Sequence, residues 1–514
     1  MRLLAEVRGR RLRLTLVHLH PWDRENEDRI NLYMRSERPC ALLTQEGKFD
    51  AVSLPWNHPD APELACAADV LVLHALSDMA LEAVVDWRKA RGKATLYEIS
   101  DDMNAPGPWR RYPEPSPLVM SRCFHLAARC DGVQFSTAAL QRKYAILSKR
   151  TQVLPNLVEI PAKLPEKPPG FTIGWAGSSS HQEDLRPIVP VLLDLVQRHS
   201  GIELALKGDL KMLHDLFGEA PHDRVRFEGF GPPASYYNFL ETVHAGPIPL
   251  AATTFNEGRT DLKLLEFAAA GVAAVVQRST AYGAHLEQIL SFETPEELGA
   301  ILERLYLHPE ELQAERERIH TYALATSGLA STLQTHAAWY LSHAPASSGG
   351  ALAALAAWAS EAMEAVRRLR EQDSPEEKYV EEVLQLLERY PSYLQLRLLA
   401  VQVLVRAGRH SQALALARPL LRSVMYHDSA LMIALAAAPP AERGRFRKRL
   451  RSAALRALSL PFDREHPAAF ARTVLEDAPY DYFSVMLCSR TPSPDLPQAL
   501  LAEIQQRAAI FVSK

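Results

Sequence analysis

Short apolar runs, each closed by polar residues and followed by helix-length text, recur in two series along this 514-residue chain. The first series is LRLTLVHLH (12–20), DVLVLHALS (69–77), ATLYEISDD (94–102), DGVQFST (131–137) and TQVLPN (151–156), with a helix expected over 79–91. The second is FTIGWAG (171–177), ELALKG (203–208), RVRFEGF (224–230), AGPIPL (245–250) and VAAVV (272–276). Runs so short and so continuously apolar suit strands covered on both faces. Their alternation with helices makes the sheets parallel. Between the series lies LVEIPAKLPEKPPG (157–170), which is proline-rich, has no periodicity and reads as a linker. Two α/β units joined by a hinge are therefore expected.

Residues 312–342 are long and helical, and APASSGG (344–350) is a second linker. From 351 strands disappear and the text becomes rich in Ala, Leu, Arg and Glu at helical period. Segment 391–424 has the length of a tetratricopeptide repeat, with Pro391 ahead of its first helix and Gly408 and Ala413 where two helices would cross. PEEKYVEEVLQLLERYP (375–391) resembles the second helix of a preceding, degenerate repeat. Repeat helices need neighbours to bury their faces, so 351–514 is expected to form an α-helical, repeat-like domain of its own. The expected division is 1–165, 166–343 and 351–514.

Charge and cysteine usage exclude several function classes. A net charge of −3 supplies no global field for nucleic acid. Five cysteines, an odd number without metal-type spacing, suggest reduced thiols in the cytoplasm. Arginines scattered through MRLLAEVRGRRLRLTLVHLH do not suit a secretory apolar core, and no run approaches 18 apolar residues, so no transmembrane segment is expected. RGRFRKRLRSAALR (443–456) reads first as a solvated face. Its second reading, a basic amphipathic helix on anionic lipid or an acidic partner, would make the protein peripheral at a membrane.

Ligand chemistry concentrates at the strand ends. In open α/β sheets ligands bind outside the carboxyl ends of the strands. His18, His20, His74, Glu98, Asp101, Asp102, Ser136, Thr137 and Asn156 occupy such ends in the first series and outline one edge of a cleft. In the second series, FNEGRTDLKLLEFAAAGVAAVV (255–276) reads as loop, helix, glycine stop and buried strand. Thr260 suits an N-cap, Asp261 the first turn and Gly271 a left-handed stop. Arg259, Lys263 and Glu266 fall in one sector at i, i+4 and i+7. Two cations beside free N–H groups at a helix N-terminus make an anion site, and the carboxylate one turn on can accept a pair of sugar hydroxyls. GWAGSSSHQEDL (174–185) offers a second anion loop through Gly177, Ser178, Ser179 and Ser180, and Lys207 adds a third cation. It is neither the dinucleotide fingerprint nor a P-loop. Two such loops suit a diphosphate.

Taken in order, YEISDD (97–102), FSTAAL (135–140), VLPN (153–156), IGWAGSSSHQEDL (173–185), FEGF (227–230), PIPL (247–250) and the 255–276 stretch resemble a known group. It is the retaining, glycogen-synthase-like "glycosyl transferases group 1" family of GT-B glycosyltransferases, and the resemblance covers roughly residues 10–340. It implies the GT-B fold: two Rossmann-like α/β domains, here followed by the α-helical repeat-like domain. A nucleotide-diphosphate sugar would be the donor substrate, held on the second domain, with the acceptor on the first and no cofactor or metal required. Lys207 with Arg259 or Lys263 then resembles the diphosphate cations. Glu266 falls on the second glutamate of the family's Glu-x7-Glu motif, Gly258 stands where the first belongs, and Glu257 is adjacent. Asp102 falls where such enzymes place a residue near the transferring sugar. Candidate catalytic residues are accordingly Asp102, Glu257 and Glu266. Candidate donor-binding residues are Gly177, Ser178, Ser179, Lys207, Arg259, Thr260, Lys263 and Glu266. Transfer with retention of anomeric configuration to a protein, glycan or lipid-linked acceptor is the implied reaction. The helical region is expected to recruit a protein acceptor or an identical subunit. The rivals are a GT-B sugar-nucleotide epimerase and a non-catalytic scaffold, the latter suggested by the missing first glutamate.

Overall fold

A computed structural model describes residues 13–511 except 22–28, 59, 103–116, 219–222, 346–364, 366–367, 370–375, 392, 424, 439, 461 and 491–496. The second linker, 344–350, and the start of the helical region fall mostly outside the described residues.

Strands β1 (Leu14–His20), β2 (Phe49–Pro55), β3 (Val70–His74), β4 (Ala94–Ile99), β5 (Gly132–Phe135) and β6 (Thr151–Val153) form one sheet in the order β2-β1-β3-β4-β5-β6. β7 (Phe171–Gly177), β8 (Ile202–Gly208), β9 (Val225–Gly229), β10 (Ala245–Ile248), β11 (Ala273–Gln277) and β12 (Leu290–Phe292) form a second, in the order β12-β11-β10-β7-β8-β9. Every pairing is parallel. The first sheet starts at β1, one strand in from its β2 edge, and the second at β7, beside its centre; each winds outwards in two directions from there, which makes two Rossmann-like domains and the GT-B architecture. The topological switch point of the second lies between β7 and β10, where a doubly wound sheet opens a crevice. β2 and β12 are strands that apolar runs do not announce, and both are edges. Residues 157–170 carry no regular structure.

The helical stretch 312–342 divides into Pro309–Thr326 and Leu329–Leu341 around Ser327 and Gly328. The second helix returns to the first sheet. Trp339 and Tyr340 pack there with Leu14, Leu16 and Phe49. Trp339 Nε1–H donates to Gln134 at 3.0 Å, and Gln134 donates to the Tyr340 hydroxyl at 3.2 Å. The rings thus serve packing and satisfy their polar ends.

The C-terminal region is helical, from Glu376–Arg389 through Leu394–Arg406 and His410–Leu420 to Gln498–Ala509. Gly408 is not a crossing point. Its φ of +72° closes helix Leu394–Arg406 in the left-handed region, and a Cβ there would meet open space. Ala413 is fully buried in helix His410–Leu420. Nor does this region bury its faces alone. One continuous apolar core joins it to the first domain. Phe124 lies 5.1 Å from Phe511 and Trp56 lies 6.3 Å from Tyr426, ring centre to ring centre. The Ser121 hydroxyl accepts the Tyr482 N–H at 2.6 Å. Glu82, wholly buried, accepts from the Ser452 hydroxyl and the Ala453 N–H at the start of helix Ala453–Leu458, with Arg129 Nε 3.2 Å from the same carboxylate. The neighbour that repeat-like helices require is the outer face of the first domain.

The basic stretch 443–456 does not form one amphipathic helix. It breaks into Pro440–Arg449 and Ala453–Leu458 because the Ser452 side chain caps the second. Arg447 and Arg456 turn inward to backbone carbonyls. Among the described residues no helix is long and apolar enough to cross a membrane.

Candidate active site

A cavity of about 540 Å³ lies between the two α/β domains. From the first domain it is lined by Ser100 and Asp101 after β4, Ser136 after β5, Asn156 beyond β6, and Asn31 and Arg35. From the second come Gly177, Ser178, Ser180 and His181 after β7, Lys207 and Gly208 from β8, Leu250 after β10, and Arg259, Thr260, Lys263 and Glu266. It therefore sits at the carboxyl ends of both sheets and at the β7/β10 switch point.

Two glycines shape its floor. Gly208 has φ +148°, and a Cβ there would lie 1.9 Å from the Gly177 carbonyl oxygen. Any side chain would force β7 and β8 apart, so the backbone itself forms the wall. Lys207 Nζ stands 3.3 Å from Glu228.

The helix Leu262–Ala269 presents its N-terminus to the cavity. The N-cap position falls on Asp261, one residue later than expected, and Asp261 makes no side-chain cap; it faces His285 Nε2 at 3.2 Å. Thr260 Oγ1 accepts from Asn156 at 3.1 Å and from Leu262 N–H at 3.4 Å. Gly271, φ +67°, ends the segment in the left-handed region. Lys263 Nζ donates to the Ala176 carbonyl at 2.6 Å and lies over the Trp175 ring. Burial pulls its pKa down to about 8. Glu266 is 3% exposed and accepts from the hydroxyls of Tyr236 at 3.0 Å and Tyr237 at 3.4 Å. Burial pushes its carboxyl up to about 7. A buried lysine and a buried glutamate are thus held at the site with their charged forms disfavoured, the condition in which a charged or hydroxylated ligand gains most.

Contacts across the cleft are polar and specific. Arg35, on a π-helical turn (Tyr33–Glu37), donates to Glu98 at 2.8 Å and to Asn156 Oδ1 at 3.1 Å. Asn156 carries the connection on to Thr260. Arg259 reaches Asp101 at 3.7 Å and lies 4.5 Å over the Phe255 ring. The Thr137 hydroxyl donates to the Gly258 carbonyl at 3.2 Å. A Cβ at Gly258 would stand 3.0 Å from Leu140 and 3.5 Å from the Cβ of Asp102. A glutamate at this position would crowd Leu140 of the first domain, whose side chain would have to give way.

Gly177, Ser178, Lys207, Arg259, Thr260, Lys263 and Glu266 all border the cavity. Ser179, in a 3-10 turn, is not part of the lining. Glu257 is exposed on the short helix Thr254–Glu257 and lies off the cavity. Asp102 also lies off it, with its carboxylate held by Lys143 Nζ at 2.6 Å and the Tyr144 hydroxyl at 2.5 Å. Its neighbour Asp101 faces the cleft instead and accepts from Asn31 at 2.9 Å. Of the strand-end groups, His18, His20, His74 and Glu98 are buried beneath the cleft and do not line it. Arg35, Asn31, His181 and the two tyrosines are site residues that the sequence does not announce. Of these only His181 stands in a stretch with a readable signal, the glycine–serine loop after β7.

Residues 191–337 match the model of a family described as glycosyl transferase-like. No curated protein matches the chain at a significant level. Among solved structures, HepE of Anabaena in complex with UDP-glucose aligns over 64% of this chain and 100% of its own, at 14% identity and a TM-score of 0.48. A Thermobaculum terrenum O-GlcNAc transferase mutant aligns over 65% and 68%, at 14% identity and 0.40. A TarM mutant of S. aureus, in complex with fondaparinux, α-GlcNAc-glycerol and UDP, aligns over 55% and 58%, at 10% identity and 0.41.

Proposed function

We propose that this protein is a glycosyltransferase that moves a sugar from a nucleotide-diphosphate donor to an acceptor hydroxyl, with retention at the anomeric carbon. The observation that carries the reading is the grouping of Lys207, Arg259, Lys263 and a helix N-terminus with the buried Glu266 around one interdomain cavity. The match of 191–337 to a glycosyl transferase-like family supports it. In this reading the cations and the Gly177–Ser178 backbone hold the diphosphate, and Glu266 accepts the ribose hydroxyls. As the anomeric C–O bond breaks, its electron pair leaves on the terminal phosphate. Charge placed in advance where this negative charge grows lowers the barrier. The acceptor oxygen then bonds to the anomeric carbon, and its proton ends on the departing phosphate. These fixed cations take the role that a divalent metal would otherwise play. Asn31, Asp101 and Ser136 stand on the acceptor side. The C-terminal helices, fixed to that side, recruit a protein acceptor or a second copy.

The test is a panel of nucleotide sugars assayed for release of the nucleotide diphosphate, with and without EDTA. Release from one donor, unchanged by the chelator, is expected. No release from any donor with cell-derived acceptors, together with no binding of any nucleotide diphosphate, would overturn the reading. Release abolished by EDTA would overturn its metal-independent part.

A further inference from the structure

We infer that His181, oriented by Asp184, is a positioning residue that accepts a hydrogen bond from a hydroxyl of the transferred sugar. This rests on the donor-site reading above and assigns one more contact within it. His181 ends the 3-10 turn Ser179–His181 after β7 and lines the cavity beside Gly177 and Lys263. Its Nδ1 lies 2.8 Å from Asp184 Oδ2. Asp184 is 2% exposed, and its other oxygen already accepts from the Ala251 N–H and from Asn256 Nδ2–H, each at 2.9 Å. Both Asp184 oxygens act as acceptors in this network, which assigns the ring proton to Nδ1. Nε2 is left as a bare acceptor, the nitrogen available to a ligand.

The environment keeps the ring neutral. Burial, and next the charge of Lys263, lower its pKa to about 4. A neutral acceptor repels phosphate oxygens, which are acceptors themselves, and suits an O–H or N–H donor. The ribose hydroxyls already have Glu266, one turn into the helix. The donors left on a nucleotide sugar are the hydroxyls of the sugar and the N–H groups of the base. The loop of His181 begins at Gly177 and Ser178, on the diphosphate side of the cavity, where the sugar rather than the base is attached. Asp184, by gripping Ala251, ties this loop to the one after β10, so the ring is held between two strand ends. A hydrogen bond made by so constrained a group is lost with little compensation when the partner is removed.

The test compares dissociation constants of the full-length chain for UDP against UDP-glucose and for GDP against GDP-mannose, by calorimetry. His181→Phe keeps the ring volume and removes the acceptor; His181→Gln keeps an acceptor. For whichever pair binds, His181→Phe is expected to leave the nucleotide diphosphate within twofold and to weaken the nucleotide sugar tenfold or more, with partial recovery in His181→Gln. An equal fall for both ligands would place His181 on the phosphate or the base and overturn the inference. Unchanged affinities for both would place it outside the donor site and overturn the inference as well. If the unaltered chain binds neither pair, ADP against ADP-glucose and dTDP against dTDP-glucose take their place; a chain that binds no nucleotide diphosphate at all overturns the donor-site reading and this contact with it.

Discussion

Glu266 and Lys263 illustrate what the candidate site costs the protein that carries it. Each is buried with its charged form disfavoured, and each is placed where a ligand would supply the missing partner. For Glu266 the sign follows from the folded carboxyl at about 7 against its ordinary 4.5. Between these values the folded state binds more protons than the unfolded state, so stability falls as pH rises from 4.5 to 7. The penalty is fully present above 7 and, at 1.36 kcal/mol per pKa unit, is on the order of 3 kcal/mol. Glu266→Gln keeps an acceptor for Tyr236 and Tyr237 but cannot ionise. Its stability advantage over the unaltered protein should therefore grow from pH 4.5 to 7 and then level off, as read by urea titration at several pH values. Nucleotide diphosphate affinity should fall at least tenfold in the same variant. A pH-independent difference in stability would mean that Glu266 is ionised throughout. His18 works in the opposite sense. Neither ring nitrogen has a partner among the described residues, and burial lowers its pKa to about 3 from 6.5. Neutral in the fold, it contributes no titration penalty above 6.5, and stability is lost as pH falls from there towards 3. His18→Leu should make that acid limb shallower by up to one proton, about 1.4 kcal/mol per pH unit.

At the scale of elements, the Arg259–Glu266 segment and the strand ends around it were legible because their chemistry is local. A glycine stop, cations at helical spacing and polar closures of apolar runs are all written in neighbouring residues. What was not legible depended on residues distant in the chain. Asp101 and Asp102 are indistinguishable as text; Lys143 and Tyr144, from a helix some 40 residues on, draw one of them away. Arg35 reaches Glu98 from a π-helical turn, 63 residues away in the chain and marked by no local pattern. β2, FDAVSLP, carries Asp, Ser and Pro because an edge strand tolerates them, and so it reads as loop. Gly258 shows the same dependence on distant residues. In the sequence it is a missing glutamate, whereas in the fold its carbonyl accepts from Thr137 of the first domain and a side chain added here would press on Leu140. Gly258→Glu should therefore open the cleft. The bond from Thr137 to the Gly258 carbonyl and the Arg259–Asp101 pair would be lost together. A larger radius of gyration by X-ray scattering and a several-fold weaker nucleotide affinity are expected. Tighter binding or raised turnover would show that this position is free to carry a glutamate.

For the whole molecule, the decisive fact is that the C-terminal helices and the first domain share one apolar core. A repeat-like module on a flexible linker would leave the first domain intact when removed. Here removal would bare Phe124 beside Phe511, Trp56 beside Tyr426, and Met79, which packs with Leu431 and Leu450. It would also strand the Glu82 carboxylate, which loses Ser452 and Ala453. Each large apolar side chain returned to water costs about 1.5–3 kcal/mol, and a domain is stable by only about 5–15 kcal/mol. A handful of such losses is enough to unfold the first domain or to drive it into aggregates. A chain ending at residue 343 should therefore be insoluble, or soluble with strong binding of a hydrophobic dye and no cooperative melt. The full chain should lose the helical region and the first domain in a single transition, seen by hydrogen exchange as simultaneous deprotection of Glu376–Arg389 and of β3. A monomeric 1–343 protein that melts cooperatively near the temperature of the full chain would refute the shared core as a source of stability. It would return the helices to the status of a separate module. If the core holds, the helices form one rigid body with Asn31, Arg35 and Asp101, and in the proposed transfer only the second domain has to close on a partner held there.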